Sequence, residues 1–193
     1  MLQYITSQSN KYSIIEQVKM VLDAGCKWIE LRIENALNDE IKAMAEELIP
    51  MCKEADAILV IDDCVELAKE IEVTGVHLHK KGISAAEARN MLEGGPIIGV
   101  SVTTAGDIYA LKGIDVDYVT LGPDIELDSY KKIVSEVREA GIELPIVAYG
   151  DITLDNISEI MSTGVNGIAM GDEIIKAEKP IEYTNAVLEK LYK

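Results

Sequence analysis

Short apolar runs alternate with amphipathic stretches along all 193 residues of the chain. The runs at Leu2–Thr6, Lys27–Arg32, Ala57–Asp62, Thr74–His79, Pro96–Ser101, Val116–Leu121, Leu144–Tyr149 and Asn166–Met170 are rich in Ile and Val and bounded by Gly, Asp or Pro. Such runs predict parallel strands buried on both faces. The stretches Ser13–Ala24, Asp39–Glu54, Cys64–Ile71, Ala85–Leu92, Ala105–Lys112, Ser129–Ala140, Leu154–Ser162 and Ile181–Leu191 predict helices. Their apolar residues recur at three- and four-residue steps, as in Ile14, Val18, Val21 and Leu22. Eight strands alternating with eight helices predict one α/β domain over residues 1–193, a (β/α)8 or TIM barrel, compact and with short loops. The rival is an open doubly wound sheet, which favours a glycine-rich turn after its first strand. Here that turn reads Ser7-Gln8-Ser9-Asn10.

Composition narrows the chemistry. The chain has no phenylalanine, so the core is expected to be built from Ile, Leu, Val, Ala and Met. The formal charge of −16 argues against nucleic acid and anionic membrane surfaces as partners, since both select basic patches. The cysteines Cys26, Cys52 and Cys64 are odd in number and lie outside metal-ligand spacings, which suits reduced thiols. The residues Met1–Thr6 lack the charged-then-apolar pattern of a signal peptide, and no apolar run reaches bilayer length. The expectation is a cytoplasmic protein acting on small molecules.

In a barrel the reactive groups gather at the C-terminal ends of the strands. Alternation puts Trp28, Glu30 and Arg32 on the inner face of the second strand, with Ile29, Leu31 and Ile33 beneath the helices. Glu30 and Arg32 are therefore either a structural ion pair or part of a site. Asp62 and Asp63 end the third strand, where they can hold Mg2+ or cap the next helix. His77 and His79 share one face of the fourth strand, as an acid/base pair, as metal ligands or as hydrogen-bonded interior groups. Ser101, Thr103 and Thr104 follow the fifth strand and can donate to a ligand or cap a helix. Gly150 and Gly171 follow strands seven and eight, where glycine often shapes a phosphate cup. Asp151, Asp172 and Glu173 stand beside them and oppose a phosphate electrostatically.

Taken in order, Glu30-Leu31-Arg32, Val60-Ile61-Asp62-Asp63, Gly75-Val76-His77-Leu78, Gly99-Val100-Ser101, Asp117-Tyr118-Val119 with Leu121-Gly122-Pro123, Pro145-Ile146-Val147-Ala148, Ile152-Thr153 and Gly167-Ile168-Ala169 resemble thiamine-phosphate synthase over nearly the whole chain. The related thiazole tautomerases share most of these marks. The resemblance implies thiamine biosynthesis by a transferase. It joins a hydroxymethylpyrimidine diphosphate to a thiazole phosphate, with Mg2+ helping diphosphate depart from a stabilised pyrimidine cation. It implies Arg32 and Ser101 as catalytic groups and Asp63 as the metal ligand. Glu30, Arg32, Asp62, His77, His79, Thr103, Thr104, Gly150 and Gly171 are the expected substrate contacts. Barrels of this family often pair, so a homodimer is an assembly to expect.

The sequence also departs from the family pattern. Glu30 stands where glutamine is usual, Glu34 where lysine is usual, and the second metal aspartate falls on Gly82. A histidine often found two residues after Ser101 is Thr103 here. The threonine-rich loop with its diphosphate lysine is missing after Pro123, and Gly150-Asp151 replaces Gly-Gly. At Glu30, Glu34 and Asp151 these changes run from positive or neutral toward negative. They leave two alternatives to the synthase: an isomerase on a related heterocycle, or a non-catalytic binder of a thiamine-related or cationic ligand.

Overall fold

The computed structural model describes residues 1–71 and 73–192. Eight parallel strands close on themselves in sequence order: β1 (Leu2–Ile5), β2 (Trp28–Leu31), β3 (Ile58–Asp62), β4 (Gly75–Leu78), β5 (Ile97–Val102), β6 (Tyr118–Leu121), β7 (Ile146–Tyr149) and β8 (Gly167–Met170). The closing pair is β1 against β8, in the register Leu2 to Ile168 and Tyr4 to Met170. The helices are α1 (Ile14–Asp23), α2 (Asn38–Glu54), α3 (Val65–Glu70), α4 (Ala85–Leu92), α5 (Ala105–Ala110), α6 (Leu127–Glu139), α7 (Ile157–Ser162), α8 (Asp172–Lys176) and α9 (Pro180–Leu191). The predicted (β/α)8 barrel is the observed fold. No helix among the described residues is long and apolar enough to cross a membrane.

Period-two alternation explains how the strands divide their side chains. Ile29, Leu59, Ile61, Val76, Ile98, Val119, Ile146 and Ile168 face outward and pack with the helices in one large buried cluster. A smaller cluster, Ile5, Trp28, Tyr118, Val147 and Ala169, lies inside the barrel. Trp28 and Tyr118 meet edge to face, with ring centroids 4.6 Å apart. Gly99 makes the inner packing possible, because a Cβ there would lie 2.1 Å from Tyr118 Cζ.

Several boundaries differ from the sequence expectations. The five-residue helix α8 follows β8 directly and is too short to print a helical stripe in the sequence. α7 begins at Ile157 rather than Leu154, because the Asn156 side chain accepts from Thr153 N–H (2.8 Å) and holds the preceding residues in a turn. α6 starts at Leu127, so only residues 122–126 separate it from β6. Gly122 lets that short link pass close to β7: its φ is +142°, and a Cβ would sit 1.8 Å from Tyr149 O. The Tyr130 hydroxyl lies 3.0 Å from Leu121 O and 2.9 Å from Tyr149 O, binding the two strand ends together. The cap expected of Asp62 or Asp63 is absent, since Cys64 is the N-cap of α3 and makes no side-chain capping bond. Both aspartates are engaged elsewhere.

Candidate functional site

The upper barrel is crossed by a closed circuit of eight side chains from six strands or strand ends. Gln3 Nε2 donates to Glu30 Oε2 (2.8 Å) and to Tyr118 Oη (3.0 Å). Tyr118 Oη lies 3.0 Å from His77 Nδ1, and His77 Nε2 lies 2.9 Å from Ser101 Oγ and 3.1 Å from Thr120 Oγ1. Ser101 Oγ lies 3.0 Å from His79 Nδ1, and His79 Nε2–H donates to Asp62 Oδ1 (2.7 Å). Arg32 closes the circuit, with Nε on Asp62 Oδ2 (3.2 Å) and Nη2 on Glu30 Oε1 (2.7 Å). Its Nη1 reaches Tyr149 Oη (3.2 Å). Ser101, between two imidazoles, is the one hydroxyl of the circuit at the end of a strand.

Burial and charge divide the titrating groups. Burial drives the His77 imidazole down to about 3, helped by the charge of His79, so His77 is a neutral hydrogen-bonding group. The hydrogen bond to Asp62 raises His79 against the opposing effect of burial. Burial alone would raise Asp62, but the His79 hydrogen bond and Arg32 outweigh it and hold the carboxyl below its ordinary value. Burial is also the larger influence on Glu30, which rises to about 7 although Arg32 and His79 favour its ionised form. Burial opposes the charge on Arg32, yet Glu30 and Asp62 raise its pKa further still.

The donor set does not fit a resident divalent ion. Glu30, Asp62 and His79 are a cluster of potential ligands whose atoms lie within 4.8 Å of one another. The Arg32 guanidinium sits among them, 2.7 Å from Glu30 and 3.2 Å from both His79 and Asp62. A second cation there would meet like charge. Asp63 is exposed, and its Oδ1 accepts from His79 N–H (2.8 Å). Position 82 faces it, since a Cβ there would be 2.9 Å from Asp63 Oδ1, but that residue is glycine and brings no second carboxylate.

Beyond Ser101, the threonines serve the rim. Thr104 is the N-cap of α5, its hydroxyl accepting from Asp107 N–H (3.1 Å). Thr103 Oγ1 accepts from Lys80 Nζ (2.8 Å), which also pairs with Asp107 (2.8 Å). Lys80 and the exposed Lys81 therefore bring positive charge to the β4–β5 side. The opposite side opens into a cavity of about 370 Å³ lined by Ile5, Met170, Tyr149, Gly150 and Gly171, with Glu34, Asp151, Asp172 and Glu173 among its walls. Gly150 and Gly171 thus line a cavity that the circuit reaches through Arg32.

Sequence reasoning missed Gln3, Tyr118, Tyr149 and Lys80. Gln3 and Tyr118 are inward-facing by alternation, which was the available signal, but the partners of Gln3 lie 27 and 115 residues away from it. Lys80 carried no periodic signal in its loop.

The family model described as thiamine monophosphate synthase matches residues 2–174. A thiamine-phosphate synthase from Bacteroides fragilis is 43% identical, covering 97% of this chain and 98% of the relative. One from Phocaeicola vulgatus is 39% identical, covering 97% and 96%. Among solved structures, a thiamine phosphate pyrophosphorylase from Pyrococcus furiosus superposes with a TM-score of 0.90 at 28% identity, covering 99% of this chain and 95% of that one.

Proposed function

Because the chain belongs to the thiamine monophosphate synthase family, we propose that it is a transferase joining a hydroxymethylpyrimidine diphosphate to a thiazole with release of diphosphate. One observation carries this reading: Arg32, Asp62, His77 and Ser101, four groups that the resemblance assigns to the reaction, meet on one hydrogen-bonded circuit at the strand ends. The circuit fixes the Ser101 hydroxyl between His77 and His79, and a fixed dipole needs little reorganisation when charge develops beside it.

In the reaction the bond between the pyrimidine methylene and diphosphate oxygen breaks, and the thiazole nitrogen forms the new bond to that carbon. Arg32, Lys80 and Lys81 supply positive charge on the side where diphosphate would depart. Mg2+ enters this reading only as the counter-ion carried by the diphosphate substrate. Two of Arg32's nitrogens are committed to carboxylates, which predicts a weak diphosphate grip and a high KM for that substrate.

The test is incubation of purified protein with both substrates and Mg2+, following product by its fluorescence after oxidation. Product in catalytic amounts is expected, with kcat in Ser101→Ala reduced at least tenfold. Folded wild-type protein that forms no product at high enzyme concentration would overturn the reading.

A further inference from the structure

We propose that the thiazole this chain accepts carries a free hydroxyl rather than a phosphate, so that its product is the unphosphorylated compound. The inference rests on the transferase reading above and names the substrate class of the same site. It is carried by the chemistry of the cavity at the ends of β1, β2, β7 and β8.

That cavity, about 370 Å³, is large enough for a five-membered heterocycle with a short side chain. Ile5, Met170 and the Tyr149 ring offer apolar and aromatic surface to such a ring. Among the described residues the charged side chains around it are Glu34, Asp151, Asp172, Glu173 and Arg32. Among the described residues Arg32 is the one cation in this lining, and it is already bonded to Glu30, Asp62 and the Tyr149 hydroxyl. Lys176, one helical turn on, pairs with Asp172 and holds its carboxyl below the ordinary range. A phosphate monoester would bring a charge of about −1.5 to −2 into these acids.

A hydroxyl reverses the balance, because it donates to a carboxylate and brings no charge. The acids then also favour the chemistry. As the nitrogen attacks, the carbon–nitrogen bond forms and the carbon–oxygen bond to diphosphate breaks. Diphosphate leaves with the electron pair, and a formal positive charge develops on the thiazole ring. Carboxylates beside the ring stabilise that charge as it forms. No proton, oxidant or further reactant is needed for the balance.

The experiment compares two acceptors, the thiazole alcohol and its phosphate, with the same pyrimidine diphosphate and full-length protein. The expected kcat/KM is at least tenfold higher for the alcohol. The double variant Asp151→Gly, Asp172→Ser should lower that preference at least tenfold. A wild-type preference for the phosphate, or an unchanged ratio in the folded double variant, would overturn the inference while leaving the transferase reading standing. Calorimetric titration of wild-type protein with each acceptor alone adds an arm independent of turnover. If neither acceptor gives product, the transferase reading fails. Tighter binding of the alcohol still supports this assignment of the cavity, and tighter binding of the phosphate rejects it.

Discussion

The two sides of the barrel mouth are built from the same kind of strand end and solve opposite problems. On the β2–β5 side, Arg32, Asp62, His79 and Ser101 satisfy one another at 2.7–3.2 Å. On the β7–β8 side, Gly150-Asp151 and Gly171-Asp172 border an open cavity whose lining, among the described residues, holds four carboxylates and one guanidinium already bonded elsewhere. The first side is preorganised and carries both signs of charge, and the second is open and acidic. A position on the first side acts through its partners and so through stability. A position on the second side acts through what the cavity admits.

The largest effect expected from breaking the first side comes from Arg32→Ala. It leaves Glu30, fully buried, and Asp62 without their shared cation. Removing one member of a buried ion pair costs about 3–5 kcal/mol, and the partial exposure of Arg32 places this case near the lower end. Urea denaturation of wild type and variant measures it. The variant also clears the guanidinium from among Glu30, Asp62 and His79, so Zn2+ should raise its melting temperature and leave that of the wild type unchanged. A variant as stable as wild type, or indifferent to Zn2+, would mean that Arg32 does not hold these groups together.

Glu30→Gln sharpens the same side through pH. The folded-state pKa of Glu30 is raised from 4.5 to about 7, so its contribution is fully present below pH 4.5 and is lost as pH rises through about 7. A shift of that size in a buried group corresponds to at most roughly 3 kcal/mol. His77 works the other way. Its folded-state pKa is depressed from 6.5 to about 3, so its contribution is present above pH 6.5 and is lost as pH falls toward 3. Between pH 4.5 and 6.5 the two slopes oppose in the wild type. Glu30→Gln removes one of them, so the variant should gain stability relative to wild type as pH rises from 5 to 7. Urea midpoints at both values report this, and parallel profiles for the two proteins would count against the raised pKa.

The barrel was legible in the sequence because burial on both strand faces leaves contiguous Ile- and Val-rich runs. Alternation alone placed Glu30 and Arg32 on the inner face and Ile29 and Leu31 beneath the helices. The circuit was not legible, because closure of the sheet sets its adjacency. Gln3 meets Tyr118 across 115 residues, and no local period encodes that meeting. The Tyr118 ring occupies space left by Gly99, so a glycine in a strand pattern was a trace of the inner packing. The motifs brought Asp63 forward as a metal ligand, yet position 82 opposite it is a glycine in a loop after β4, where periodicity carries no information. The acids after β7 and β8 were visible as charges, but the cavity between them depends on how the strand ends splay.

Thr104→Ala gives the smallest effect and tests where the working part of the rim stops. Thr104 lies just beyond Val102, the last residue of β5. Its hydroxyl satisfies Asp107 N–H, while the Asp107 carboxylate accepts from Thr104 N–H (2.9 Å). This reciprocal cap should be worth about 1 kcal/mol. The expected result is a stability loss of about that size, recovered in Thr104→Ser. A hydroxyl used to bind substrate would behave differently, raising KM in Thr104→Ala with little change in the urea midpoint. Because both variants keep the circuit through Ser101 intact, the split between midpoint and KM separates the structural rim from the reactive one within a single turn of chain after Ser101.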